Sequence, residues 1–155
     1  MSASARSGAI PEGDDPMFKK ILIPVDLVDR HQRALDIAAT LAKEGQAEVI
    51  LLHVIEVIPG LGLEQERDFY GRIERIAREH LWRLGRYLEE RQIARREEIV
   101  YGNRAGEIVH YAKEAGVDLI VLTAPRFDPQ QPGAGLATLS YKIGILAQCP
   151  VLLVK

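Results

Sequence analysis

Short apolar runs alternate with helix-patterned segments along this chain, and the alternation constrains its fold more than any single motif. Most of the runs are apolar at consecutive positions, which is typical of strands that are buried on both faces. The five runs are KKILIPVD at 19–26, AEVILLHVIEV at 47–57, EEIVYG at 97–102, VDLIVLT at 117–123 and CPVLLVK at 149–155. Strands that alternate with helices favour an α/β fold, with a parallel sheet and helices on both faces.

The segments between the runs carry the period of amphipathic helices. In residues 29–45, the side chains of Leu35 and Ala38 fall on one stripe, Asp29 is the predicted N-cap, and Gly45 is the predicted stop. The other three helical segments are 64–92, 105–116 and 137–148. We therefore expect four helices between and around the strands.

Parallel strands joined by right-handed crossovers form a doubly wound layer. We expect a five-stranded sheet of order 3-2-1-4-5, in which the first and fourth strands are neighbours and their connections diverge. Ligands of such folds bind in the crevice at the carboxyl ends of these two strands. The predicted crevice lies between PVD at 24–26 and LTAPR at 122–126.

Size and charge limit the classes of function. With 155 residues, 47% of them apolar, the chain is expected to form one globular domain at 18–155 after a disordered tail at 1–17. Its net charge of -2 provides no basic footprint, so neither nucleic acid nor membrane is an expected partner. The single Cys149 excludes an internal disulfide, and no apolar stretch is long enough to span a bilayer. These features indicate a cytoplasmic location.

The sequence contains no catalytic or metal-binding pattern. Its four histidines fall on different predicted elements without metal-ligand spacing: His31, His53, His80 and His110. Cys149 has no evident base, and Ser140 is not part of a nucleophile elbow. We therefore expect the histidines to be surface or core groups and Cys149 to be a small packed side chain, and we do not expect an enzyme.

Four segments, taken in order, resemble the universal stress protein family. They are KKILIPVD at 19–26, VILLHV at 49–54, GNRAGEIVHYAKEAGVDLIVL at 102–122 and CPVLLVK at 149–155. The resemblance spans residues 18–155 and implies a small stress-response protein that works by binding. It also implies a homodimer in which the last strands, apolar at a sheet edge, meet across a two-fold axis. The implied interface is Val151, Leu152, Leu153 and Val154.

Members of that family that bind ATP carry a phosphate loop after the fourth strand: Gly, two residues, Gly, nine residues, Gly, then Ser or Thr. Aligned from the two flanks, the first two glycine positions fall on Thr123 and Arg126, and the last falls on Ala137, followed by Thr138. The two alignments differ by one residue, and none of the three positions is a glycine. Because such glycines let backbone N–H groups approach phosphate oxygens closely, the loop is predicted to be degenerate.

Two interpretations of this loop stay open. Arg126, the hydroxyls of Thr138 and Ser140, and the start of the fourth helix together suit an anion. Alternatively, Arg126 is a solvated charge and Thr138 is an ordinary helix N-cap.

The resemblance also implies a nucleoside site at the ends of the first two strands. The family's base-contacting positions correspond to Pro24, Val25, Asp26 and Val54. The carboxylate of Asp26 can accept a hydrogen bond from a ribose hydroxyl, although a turn-forming role is the simpler alternative, and Val54 has the alternative of a core residue. The rest of the predicted nucleotide-binding set is Thr123, Ala124, Arg126, Ala137, Thr138, Leu139 and Ser140.

Three functions follow from these observations, in decreasing order of support. The first is a stress-response binding module that takes ATP or another adenine nucleotide with a degenerate phosphate loop. The second is a nucleotide-free protein-interaction scaffold of the same fold. The third is an enzyme, such as a slow ATPase or a relative of the electron-transfer flavoproteins.

Overall fold

The structure is a computed structural model and describes residues 15–64, 66–126, 128–133 and 138–155. Most of the predicted tail, and the predicted binding residue Ala137, lie outside the described residues. The strands of the described chain are β1 (Lys20–Pro24), β2 (Glu48–Ile55), β3 (Arg95–Tyr101), β4 (Leu119–Thr123) and β5 (Val151–Val154). The helices are α1 (Gln32–Gly45), α2 (Arg67–Glu89), α3 (Arg104–Glu114) and α4 (Leu139–Leu146).

The strands form one sheet in the order β3-β2-β1-β4-β5, and every pairing is parallel. β1 is the central strand, because Leu22 is in register with Ile50 of β2 on one side and with Ile120 of β4 on the other. The predicted fold class and strand order are therefore confirmed. The crevice between the carboxyl ends of β1 and β4 follows from this order.

Successive residues of the central strand enter two separate apolar cores. Ile21 lies in a core with Leu35 of α1 and Leu81 of α2, and all three are almost fully buried. Leu22 points to the other face and lies in a core with Ile143 of α4. Burial of a side chain of this size contributes about 1.5–3 kcal/mol. The consecutive apolar residues of the sequence are thus explained by helices on both faces of the sheet.

α1 begins later than predicted, because its N-cap is His31 and not Asp29. The backbone carbonyl of His31 accepts the amide of Leu35 at 2.9 Å, but its side chain makes no capping bond. That side chain instead contacts the Asp26 carboxylate, which also accepts the amide of Val28 at 3.1 Å. The turn that Asp26 organises therefore displaces the start of the helix.

α1 ends at Gly45, but the left-handed residue that closes the helix is Gln46, with φ at 53°. A Cβ atom on Gly45 would lie 3.2 Å from the Phe18 carbonyl oxygen and 3.2 Å from Pro16 Cβ. The glycine therefore lets the chain that leads into β1 pass close to the helix end, a packing role in addition to the predicted stop.

β5 is an edge strand that leaves apolar side chains at the surface. Leu152 and Leu153 are 38% and 42% exposed, whereas Val154 is buried. An edge of this kind presents both unpaired backbone groups and apolar surface. Within the described residues, no helix is both long and apolar enough to cross a membrane.

Three histidines of the described chain are buried, and two of them, His53 of β2 and His80 of α2, have a lowered pKa. His53 donates from Nδ1 to the Val25 carbonyl at 2.8 Å, and burial lowers the pKa of His53 although this bond opposes the shift. Burial and the neighbouring Arg83 guanidinium lower the pKa of His80. Among the described residues, His80 Nε2 is a buried nitrogen without a hydrogen-bond partner. Both shifts favour the neutral imidazole in the folded protein.

We expect the free energy of unfolding to fall as the pH falls below about 6.5, the ordinary histidine value. The unfolded chain binds protons at His53 and His80 at a higher pH than the folded chain does, so acidification favours the unfolded state. Thermal unfolding between about pH 8 and about pH 5 measures the loss. The double variant His53→Asn and His80→Gln should lose less stability over this range. His110→Gln, at an exposed position, should behave like the wild type, and equal losses in all three proteins would contradict the prediction.

Candidate functional site

Two cavities open at the carboxyl edge of the sheet, near the end of β4. The first has a volume of about 90 Å³ and is bordered by the ends of β1, β2 and β4. Its lining is Pro24, Val25, Asp26, Arg30, His31, Leu52, Val54, Arg104, Ile108, Leu122, Thr123 and Leu139. The second has a volume of about 370 Å³ and borders β5 and the start of α4. Its lining is Ala124, Pro125, Arg126, Asp128, Gln131, Thr138, Ser140, Tyr141, Leu153 and Lys155.

The structure divides the predicted binding residues between the two cavities. Those in the first cavity are Pro24, Val25, Asp26, Val54, Thr123 and Leu139. Those in the second cavity are Ala124, Arg126, Thr138 and Ser140. The residues mapped to the base therefore meet in one place, and most of those mapped to the phosphates meet in the other. Whether they contact a ligand stays a prediction.

The imidazole of His31 joins two of the predicted residues across the first cavity. Its Nε2 lies 2.7 Å from Asp26 Oδ1, and its Nδ1 lies 2.9 Å from Thr123 Oγ1. A carboxylate only accepts hydrogen bonds, so the contact with Asp26 Oδ1 requires a proton on Nε2, and in the neutral ring Nδ1 then accepts from the Thr123 hydroxyl. The Asp26 amide nitrogen also lies 3.1 Å from Nε2, and it donates to this nitrogen in the tautomer that carries its proton on Nδ1. The three side chains, here called the His31 bridge, connect the end of β1, the start of α1 and the end of β4.

The Asp26 carboxylate already accepts hydrogen bonds from several groups of the protein, and its lowered pKa favours the ionised form. Its Oδ1 accepts from His31 and from the Val28 amide, and its Oδ2 pairs with the Arg30 guanidinium. Burial works to raise the pKa of Asp26, but the bonds from His31, the Val28 amide and Arg30 outweigh it and lower the pKa. The structure therefore shows Asp26 in the turn-forming role that was its alternative interpretation. A ribose hydroxyl would have to join or replace one of these donors.

The second cavity offers fewer backbone donors than the sequence suggested. The Ala124 amide donates to the Val154 carbonyl at 2.8 Å and so belongs to the sheet. Thr138 is the N-cap of α4, and its hydroxyl oxygen accepts from the Tyr141 amide at 3.3 Å. The N-cap interpretation of Thr138 is thus confirmed. Exposed Arg126 remains the predicted charge at this cavity, and Ser140 is buried beside it.

The lining residues that sequence reasoning missed include four with basic side chains: Arg30, His31, Arg104 and Lys155. Arg104 is the first residue of α3, and its guanidinium lies 3.5 Å from the Glu56 carboxylate. Lys155 follows β5 and donates from Nζ to the Pro125 carbonyl at 3.2 Å. Because the carboxyl ends of parallel strands meet at one edge of the sheet, residues directly after β3 and β5 could have been included.

Within the described chain, no group of three or more His, Cys, Asp or Glu side chains is arranged to hold a metal ion. Burial and the nearby Asp118 carboxylate raise the pKa of the half-buried Cys149 thiol. A raised pKa favours the protonated thiol, which is a poor nucleophile. Cys149 thus has the properties of a packed side chain, as its sequence context predicts.

Solved structures of known proteins share this fold. The hypothetical protein MJ0577 is 27% identical, with a TM-score of 0.75 over 90% of this chain and 96% of its own. A universal stress protein from Archaeoglobus fulgidus in complex with dAMP is 19% identical, with a TM-score of 0.67 over 90% and 99%. A family protein from Arabidopsis thaliana with AMP bound is 20% identical, with a TM-score of 0.64 over 88% and 91%.

The sequence comparisons agree with the fold. The universal stress protein YxiE of Bacillus subtilis is 32% identical over 90% of this chain and 100% of its own length. The universal stress protein MJ0531 of Methanocaldococcus jannaschii is 31% identical over 95% of this chain and 88% of its own. The sequence model of the universal stress protein family matches residues 17–155. This chain therefore belongs to the universal stress protein family.

Proposed function

We propose that this protein binds ATP or another adenine nucleotide at the carboxyl edge of its sheet and acts in a stress response by binding rather than by catalysis. The observation that carries the proposal is the convergence of Pro24, Val25, Asp26 and Val54 on one cavity in this fold. Two proteins of the same fold hold dAMP and AMP, which supports the class of ligand.

The nucleoside belongs in the first cavity and the phosphates in the second. The first cavity has apolar walls that include Leu52 and Ile108, which suit a base, and it contains the Asp26 carboxylate. The second cavity contains the cationic side chains Arg126 and Lys155, and its volume of about 370 Å³ falls within the usual range for ligand sites. A guanidinium can hold a phosphate group through two parallel hydrogen bonds. Because these are side-chain contacts without loop glycines, we expect weaker binding than in relatives with the full glycine motif.

The proposed setting is the cytoplasm. The chain has a single cysteine, and Cys149 is a free thiol in the structure. Cytoplasmic proteins keep their thiols reduced, whereas small secreted domains commonly depend on disulfides. The adenine nucleotides whose concentration would carry the stress signal are also present in that compartment.

One observation favours a nucleotide-free interaction scaffold as the second candidate function. The first cavity is small, at about 90 Å³, and the side chains of Asp26 and Thr123 that line it already bond to His31. A site that satisfies its own polar groups has less to offer a ligand. Nucleotide titration of the wild-type protein separates the two candidates.

We expect Arg126→Ala to reduce the binding free energy of ATP by about 1–3 kcal/mol, the range for a lost charge-assisted hydrogen bond. The binding of adenosine should be almost unaffected. Asp26→Ala should weaken the binding of ATP and of adenosine alike, because the carboxylate lies in the nucleoside cavity. Isothermal titration calorimetry measures both ligands with each variant. Arg72→Ala, which removes an exposed arginine of α2, is the matched control and should bind like the wild type.

Two results would contradict this assignment at different levels. If the wild-type protein gives no heat and no thermal shift with ATP at millimolar concentration, the nucleotide proposal fails and the scaffold remains. If Arg126→Ala weakens the binding of adenosine as much as that of ATP, the proposal of nucleotide binding is kept, but Arg126 does not hold the phosphates.

We also propose a homodimer that forms through β5. Leu152 and Leu153 are exposed on this edge strand, and Ile145 and Leu146 of the neighbouring helix α4 are 67% and 54% exposed. These side chains form apolar surface beside an unpaired strand edge, which proteins normally cover. A two-fold axis would let the same surface of two copies cover each other.

Leu152→Lys should convert the dimer to a monomer, because it places a charge in the apolar contact on each side of the axis. Size-exclusion chromatography with light scattering measures the mass. Ile76→Lys is the control, since Ile76 is 57% exposed on α2 and lies outside the proposed interface. A Leu152→Lys protein that stays dimeric would exclude β5 as the interface.

A further inference from the structure

We propose that His31 gates the nucleoside cavity, and that a nucleotide must break the His31 bridge before its base can enter. The inference rests on the proposed nucleotide site and concerns the regulation of that site. His31 and the nucleotide then compete for the same polar groups, those of Asp26 and Thr123. Sequence reasoning placed His31 among surface or core groups, but the structure places it between Asp26 and Thr123.

The bridge spans the part of the crevice that the ligand would use. His31 is only 5% exposed, and both of its ring nitrogens are engaged, at 2.7 Å from Asp26 Oδ1 and 2.9 Å from Thr123 Oγ1. Asp26 belongs to the turn after β1, whereas Thr123 is the last residue of β4. The imidazole therefore ties together the two strand ends between which ligands of this fold class bind.

The cavity that the bridge leaves is too small for a nucleoside. Its volume of about 90 Å³ lies below the range of roughly 300–1,000 Å³ that is usual for ligand sites. Its apolar walls cannot retreat easily, because Leu52, Ile108 and Leu122 are 1%, 1% and 3% exposed and belong to the close-packed core. The remaining lining, which includes His31, Arg30 and the half-buried Leu139, must therefore supply the enlargement.

The segment that carries Asp26 and His31 has no regular structure. Residues 25–31 join β1 to α1, and Val28 within them is 58% exposed. A segment with few buried apolar contacts opens at a low free-energy cost. When His31 leaves, Asp26 keeps its bonds to the Val28 amide and the Arg30 guanidinium, so no carboxylate is left without donors.

The cost of opening the bridge reduces the affinity for the nucleotide. Each hydrogen bond of this kind has a modest net value, so the loss of two of them lowers the apparent affinity by about tenfold. A variant that removes the imidazole but leaves Asp26 and Thr123 for the ligand should therefore bind the nucleotide more tightly than the wild type.

The test compares His31→Asn with the wild type and uses AMP and ATP as ligands in calorimetric titrations. Asparagine is a favoured N-cap, so the start of α1 is preserved, but its side chain is too short to reach both Asp26 and Thr123. We expect His31→Asn to bind both nucleotides about tenfold more tightly. His110→Asn changes an exposed histidine of α3 and should bind like the wild type. Equal or weaker binding by His31→Asn would overturn the proposal, and weaker binding would make His31 a ligand contact.

Hydrogen exchange supplies a second measurement that needs no ligand. The Asp26 amide nitrogen lies 3.1 Å from His31 Nε2, so this amide should exchange faster in His31→Asn than in the wild type, while the His110→Asn control is unchanged. Unchanged exchange at the Asp26 amide would overturn the proposal. If neither protein binds a nucleotide, the proposed function fails, and the exchange rates alone then decide whether His31 holds the turn closed.

Discussion

The position of β1 at the centre of a parallel sheet is the constraint on which the rest of the structure depends. Leu22 is in register with a neighbour on each side, and the side chains of β1 alternate between two apolar cores. Such a strand is paired on both edges and covered on both faces, so its buried residues must be apolar. The chain that leaves the strand must turn away sharply. The Asp26 turn begins where the apolar run ends, and the crevice forms because β1 and β4 connect in opposite directions.

The site is built from the ends of these elements rather than from a single loop. Strand ends provide Asp26 and Thr123, and the start of α1 provides His31, which bonds to both. This arrangement explains why the pKa of Asp26 is lowered although the carboxylate is partly buried. The fold brings the groups together, and their hydrogen bonds then decide how much of each group is left for a ligand.

Much of the architecture could be predicted from the sequence, because burial on both faces leaves a pattern that is readable along the chain. The strand order could be predicted as well, and it brought Asp26 and Thr123 to the same crevice. The start of α1 could not, because the side chain of His31 responds to Asp26 and Thr123, and Thr123 is distant in sequence. Local signals suggested Asp29 as the cap, whereas a contact made in the folded protein decided the outcome. The Ala124 amide is likewise taken by a group that is distant in sequence, the Val154 carbonyl of β5.

β5 contributes to the second cavity as well as to the sheet edge. Leu153 and Lys155 line the cavity, and Leu153 is also one of the exposed leucines of the edge strand. A ligand in the second cavity and a second copy of the chain at the proposed dimer contact would therefore both act on this strand. Thermodynamic linkage would make such an effect reciprocal: a ligand that alters the affinity of two copies for each other has its own affinity altered by the same factor. The four residues of β5 would then couple the proposed nucleotide site to the proposed assembly without a hinge or a second domain.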